Sequence, residues 1–355
     1  MTNLTRSIAL ASLWILMTAP HSSLMAQAGK LLVFQNAMAG DAVTIIDTET
    51  NRAIGEIPDI EIANGLATSP DGSRLYVTGE VAKTLYVVDT ETMEVINEVH
   101  TTGRPAALDV SKDGRRIYVG VQDQGATGLN IYDAATLTLV KNLPLEGMRT
   151  HYVLVTPDGK YVAVTANQGR SAEEALTVRL VDTETEEYVR KIVGVGSGGH
   201  RVCDFYPNSD GSTRWLLCNQ GGLPGFVVYD FNTGEIVQKV SYPVLGGRLN
   251  LQHSWTAQSS PSHGVAVTPD NETILVSDRW YNLVHLFSAP EMVHIGAIPM
   301  GPDPFWFSIT PDSRTAYVSA SLTASMSVLD LVEMREVARI PVQNVPKRNI
   351  IARMP

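Results

Sequence analysis

One unit recurs along almost the whole chain, and it leaves few folds open. An apolar-alternating run, a tight turn and a second run read LATSPDGSRLYVTG at 66–79, LDVSKDGRRIYVGV at 108–121, VLVTPDGKYVAVTAN at 153–167, VAVTPDNETILVSD at 265–278 and FSITPDSRTAYVSA at 307–320, with a diverged copy, DFYPNSDGSTRWLLCN, at 204–219. Alternation of period two marks strands, and the Pro-Asp-Gly segments are hairpin loops between them. Each copy is followed by a second hairpin with an acidic or polar turn, as in LYVVDTETMEVINEV and VRLVDTETEEYVRKI. The reference residues of those turns, Asp47, Asp89, Asp133, Asp182, Asp230, Ser288 and Asp330, are spaced by 42, 44, 49, 48, 58 and 42 residues. Four strands per repeat at this spacing make a propeller blade. Seven copies predict an all-β, seven-bladed β-propeller of four-stranded antiparallel blades.

The chain ends predict how the ring closes. The N-terminal LLVFQN, VTIID and AIGEI are three strands without an inner partner, and the C-terminal PKRNIIARMP is an inner strand without three partners. Together they complete one blade, which leaves no open array edge. Residues 29–355 are therefore expected to form a single propeller. Ahead of them, one positive charge at Arg6, an apolar run at 7–20 and the small residues of Ala26-Gln27-Ala28 predict a secretory signal peptide over 1–28, and with it a periplasmic or secreted protein. No other segment is long and apolar enough to span a bilayer. The formal charge is −10, with no Lys/Arg run longer than a pair such as Lys347-Arg348, which disfavours nucleic acid as a partner. The closed ring makes a monomer the expected state.

The strand pieces Tyr76-Val77-Thr78-Gly79, Tyr118-Val119-Gly120-Val121, Val164-Thr165-Ala166-Asn167 and Leu217-Cys218-Asn219, each after a Pro-Asp-Gly-like turn, resemble the YVTN family of propeller repeats. The resemblance covers essentially all of 29–355. It implies the fold, and it brings in binding proteins, surface-layer proteins and the haem-binding propeller of nitrite reductases as relatives. A ring histidine acting as axial ligand to a haem-type tetrapyrrole is what that last likeness implies. The chain carries no CxxCH motif, so covalent haem attachment is excluded.

Only two cysteines are present, Cys203 and Cys218, on either side of Asp210-Gly211. With the turn centred there they face each other across a hairpin, at a hydrogen-bonded pair unless a bulge at Pro207 shifts the register. A cross-strand disulfide and two small buried thiols are both open readings.

In a propeller the starts of the inner strands ring one mouth of the central channel, and the second strands end at the same face. The Pro-Asp turns align the ring as Asn64, Ala106, His151, Arg201 with His200 beside it, His263, Phe305 and about Arg348. Imidazoles in three consecutive blades, His151, His200 and His263, are the donor set for a transition metal such as Cu, Zn or Fe with an open position. A polar ring without metal fits the same residues. Arg104, Arg149 and Arg201 at strand starts suit a carboxylate, phosphate or propionate. Asn36, Asp123, Asn167, Asn219, Asp278 and Arg279 at second-strand ends add polar groups, and Trp280, Tyr281, Phe305 and Trp306 are candidate walls. An insertion between Gly247 and Ser262 carries His253, a possible fourth imidazole, and Trp255 on the same face. His285 and His294, in outer strands, and His100, after one, are set aside.

Three functions fit. The first is a binding protein holding a small anionic ligand, a metal or a non-covalent tetrapyrrole, with periplasmic redox proteins as possible partners. The second is a metal-dependent oxidoreductase or lyase using His151 or His263 with Arg201. The third is a protein-interaction scaffold.

Overall fold

The computed structural model describes residues 29–123, 127–145, 148–169, 172–194, 199–244 and 260–355; the side chains of residue 148, 167–169, 172 and 201 are outside that description. The leader assigned to 1–28 and the insertion carrying His253 and Trp255 therefore lie outside the described residues, as do the side chains of Asn167 and Arg201.

Seven four-stranded antiparallel sheets follow one another along the chain, each running from the channel outward in sequence order. The exception is the closing blade, whose order is β28 (Pro346–Arg353), β1 (Leu31–Ala37), β2 (Val43–Asp47), β3 (Arg52–Ile57). Leu32 pairs with Ala352 and Phe34 with Ile350, so the last strand zips onto the first. A single apolar cluster joins Leu32, Phe34 and Ile45 of this blade to Leu75, Val77 and Val88 of the next. The two middle strands of a blade are almost wholly buried, as in β5 (Arg74–Gly79) and β6 (Thr84–Asp89), because the faces of neighbouring blades pack on both sides.

The acidic turn residues have a local role. Asp47, Asp89, Asp133, Asp182, Asp230 and Asp330 each accept backbone N–H bonds from the residues two and three positions on, which fixes the outer hairpin. The inner hairpins repeat a second device: Ser69, Ser111, Thr156, Thr268 and Thr310 donate their hydroxyls to the turn aspartates Asp71, Asp113, Asp158, Asp270 and Asp312.

Cys203 and Cys218 are register partners in β16 (His200–Pro207) and β17 (Thr213–Gln220), and they are bonded. The register slips between Tyr206 and Pro207, which moves the pair out of the hydrogen-bonded position. Their Cα atoms are 4.1 Å apart, the spacing of a non-hydrogen-bonded pair. The bridge closes a 15-residue separation. Replacing both cysteines with serine should cost about 3 kcal/mol, measured as a lower urea midpoint with a steeper slope, because the unfolded chain loses its cross-link. An unchanged midpoint would show that the bridge adds nothing to stability.

Candidate functional site at the channel mouth

The inner strands do not enter the mouth as regular ladders. Their register shifts between Ala63 and Leu66, Pro105 and Leu108, Thr150 and Tyr152, His200 and Cys203, and Pro304 and Phe307, each time at the ring position. A bulge leaves backbone N–H groups unpaired and re-aims the side chain there. A hydroxyl on the next strand catches those groups: Thr78 accepts from Gly65 N (2.7 Å), and Ser277 from His263 N (2.9 Å) and Gly264 N (2.8 Å). At His151 the bulge turns the side chain toward the channel, where its ring meets that of His263. Gly264 is needed for the same reason, since a Cβ there would lie 2.6 Å from the Phe307 ring and 2.8 Å from the Phe305 carbonyl.

The structure brings His151 and His263 together. Their ring centroids are 5.8 Å apart and edge-on, and His263 stacks on Phe305 at 3.7 Å. His200 goes elsewhere. It is buried inside its own blade, edge-on to Tyr229, with Nε2 3.3 Å from the Tyr229 hydroxyl. Gly194 makes the space, because a Cβ there would meet both groups within 3 Å. Burial holds the His200 pKa down at about 4, against the pull of the nearby Asn219 and Leu176 carbonyls. Among the described residues no group of three or more His, Cys, Asp or Glu is placed to hold a metal.

A second feature gathers beside His151. Arg348 is buried in β28; it donates to the carbonyls of Asn64 (3.1 Å) and His151 (2.9 Å) and lies over the Trp306 ring at 4.6 Å. Lys347, also buried, donates to Asn64 Oδ1 (3.1 Å). Arg149 donates to Gln122 (3.0 Å), which also accepts from Arg104 (3.2 Å). Two carboxylates reach them: Glu80, 3.3 Å from Arg104 and hydrogen-bonded by Asn64, and Asp123, 4.0 Å from Arg104. Burial, then the charge of Arg348, pushes the Lys347 pKa down to about 7, and burial pushes Arg348 to about 10. Arg149 is also lowered, by burial and then by Arg104. Four basic side chains against two acids leave this part of the mouth with an excess of positive charge in a protein of net charge −10.

Other sequence candidates are structural. Asn36 bridges Asn64 O (2.7 Å) and Arg348 N (2.8 Å), tying the closing strand to blade one. Asn219 donates to Gly225 O (3.2 Å). Asp123 holds Lys83 (2.6 Å) at the surface. Arg279 is buried in a two-point pair with Asp303 (2.6 and 3.1 Å), and its guanidinium lies 5.0 Å from the Phe305 ring. Asp278 is buried; it accepts from Trp280 N (2.9 Å) and Tyr281 N (3.1 Å).

Trp306 lies against the mouth residues, 5.7 Å from the His263 ring and 4.6 Å from the Arg348 guanidinium. It packs edge-on against Tyr152 at 5.1 Å and the two fill the channel one layer below the ring. Gly65, Ala107 and Gly264 hold the equivalent positions in blades one, two and five. Below the plug, Asp109 and Asp204 line cavities of 220 and 80 Å³, respectively. Each carboxylate accepts an N–H from the next inner strand, from Val155 and Val267. Burial raises both pKa values, that of Asp204 to about 6.

Lys347, Glu80, Gln122 and Tyr152 were not singled out as site residues by the sequence. The Lys347-Arg348 pair at the start of the closing strand was the available signal.

Residues 20–167 match the Cytochrome D1 heme domain family model. The match takes in blades one and two, the inner hairpin of blade three, and His151, which is less than half of the chain. No curated protein matches the chain. Among solved structures, hydrazine synthase from Kuenenia stuttgartiensis is similar at 16% identity, over 89% of this chain and 99% of that one, with a TM-score of 0.72. Dihydro-heme d1 dehydrogenase NirN is similar at 18% identity, over 92% of this chain and 67% of that one, with a TM-score of 0.62. A functionally unknown protein from Desulfotomaculum acetoxidans is similar at 13% identity, over 91% and 99%, with a TM-score of 0.70. At these identities the structural likenesses establish the propeller fold.

Proposed function

We propose that the chain binds a haem-type tetrapyrrole without covalent attachment at the channel mouth, in the periplasm or outside the cell. The observation that carries this reading is the juxtaposition of two imidazoles, His151 and His263, with four buried or half-buried basic side chains against two carboxylates, Glu80 and Asp123. The partial match to the Cytochrome D1 heme domain supports it. The donor set fits such a group: an imidazole suits iron, and guanidinium forks suit its carboxylates. His263, held by Phe305, and His151 would offer the ligand nitrogens. Arg104, Arg149, Arg348 and Lys347 would neutralise and orient the carboxylates. Bound iron tetrapyrrole supplies one-electron redox chemistry and an exchangeable coordination position. The protein's share is to orient the group by its charged edge, with Tyr152 and Trp306 closing the floor.

Hemin added to the full chain should give a protein-dependent shift of the Soret band. His263→Ala and His151→Ala should change its position. Arg104→Gln with Arg149→Gln should weaken binding roughly 10- to 100-fold, the worth of one to two charge-assisted hydrogen bonds. Because Lys347 titrates at about 7, it is mostly neutral at pH 8, and an arriving anion raises its pKa. Binding at pH 8 should therefore take up close to one proton, read by calorimetry in two buffers of different ionisation enthalpy. A hemin spectrum indifferent to the protein and to all four substitutions would refute the reading.

A further inference from the structure

Asn64, on β4 (Ala63–Thr68), stands between a buried amine and an acid at the channel mouth. Its Nδ2 donates to the Glu80 carboxylate, and its Oδ1 accepts from Lys347 Nζ at 3.1 Å. Among the described residues that amide oxygen is the only hydrogen-bond acceptor of Lys347, and Glu80 is paired with Arg104 instead. Lys347 is buried, so an ammonium here is short of both water and a counter-ion. Burial first, then the charge of Arg348, push its pKa down to about 7; Glu80 opposes this, and Arg149 and Arg104 add to it. A desolvated amine beside fixed cations is an activated nucleophile.

The same cluster holds an uncommitted guanidinium. Arg149, on β12 (Met148–Val155), is half-buried and bonds the described residues only through Nε, to Gln122 Oε1 at 3.0 Å. Its two terminal nitrogens are open. Arg348, by contrast, is committed to the Asn64 and His151 carbonyls, and Arg104 to Glu80 and Gln122. The second acid, Asp123, is held by Lys83 at 2.6 Å. A planar fork with free N–H groups matches a carboxylate. A simple anion would engage the fork alone; a molecule that also carries a carbonyl would engage both the fork and the amine.

We propose that Lys347 is a nucleophile that captures a small carboxylate bearing an aldehyde or ketone, with Arg149 holding the carboxylate. The Nζ lone pair attacks the carbonyl carbon. The carbonyl oxygen leaves as water, taking both amine hydrogens, and a C=N bond to Lys347 remains. No oxidant or further reactant enters, and water reverses the step. The inference shares the mouth with the proposed tetrapyrrole site, but it concerns protein groups alone and stands if no tetrapyrrole binds.

The test is reductive trapping with glyoxylate and cyanoborohydride at pH 7, on the full chain without added cofactor, with each lysine followed by peptide mass spectrometry. About half of Lys347 is free amine at that pH, against roughly one in a few thousand for a lysine of ordinary pKa. Carboxymethylation of Lys347 should run at least tenfold faster than that of the exposed Lys160. Arg149→Gln should lower that ratio at least tenfold with glyoxylate and far less with propionaldehyde, which has no carboxylate. The comparison separates recognition of the carboxylate from access to the amine. A Lys347 rate no greater than that of Lys160 would overturn the proposal, and so would an Arg149→Gln variant that treats the two aldehydes alike.

Discussion

Ending the chain at Val345 is expected to abolish the folded ring, not to trim it. The loss removes β28, whose pairs run from Leu31–Arg353 to Ala37–Pro346, and leaves β1 as an open edge. It also strips the inner face from Leu32, Phe34 and Ala63, which share one core with Ala352 and Met354. Asn36, Asn64 and Gln35 lose the Arg348 groups they bond, and Ser319 of blade six loses Lys347 O (2.8 Å). A propeller has no terminal blade able to expose a face, so the defect spreads to both neighbours. The cost should exceed the roughly 5–15 kcal/mol by which domains are stable. The truncated chain should show no cooperative melt and no near-ultraviolet dichroism. A native-like melt would mean that the ring closes without its last strand.

Asp303→Ala should be the most damaging single substitution near the mouth. It leaves the buried Arg279 guanidinium without its two-point acceptor, and the Ser321 hydroxyl without its partner. Removing one member of a buried pair costs about 3–5 kcal/mol, because the remaining charge stays out of water. Asp303→Asn keeps one acceptor oxygen and should lose less. The effect should reach the site, since Arg279 lies against Phe305, and Phe305 is the surface on which His263 stacks. Urea unfolding gives the first quantity and the Soret position of hemin-loaded protein the second. A loss below about 1 kcal/mol would mean that the pair is solvated in solution, since exposed pairs are worth no more than that.

The fold was legible because each blade repeats its own instructions. Pro-Asp turns, turn aspartates and two-residue alternation survive in nearly every copy. The ring register was also readable, and it correctly put His151, His263, Asn64 and Arg348 at one level. What it could not give was direction. His200 and His151 occupy related positions, yet Gly194 admits the His200 ring into the blade while the bulge at Thr150–Tyr152 aims His151 into the channel. The basic cluster was harder still, since its members come from the closing blade and blades one, two and three.

The plug formed by Tyr152 and Trp306 gives the channel an electrical polarity. On one side stand Lys347, Arg149 and Arg104; on the other, Asp109 and Asp204, with Arg348 lining the same cavity as Asp109. With a pKa of about 6, Asp204 is ionised at neutral pH. The carboxylates on the far side are partly balanced by Lys112, which lowers the pKa of both. The ring is nearly symmetric about its axis but not along it, so its two faces differ in charge.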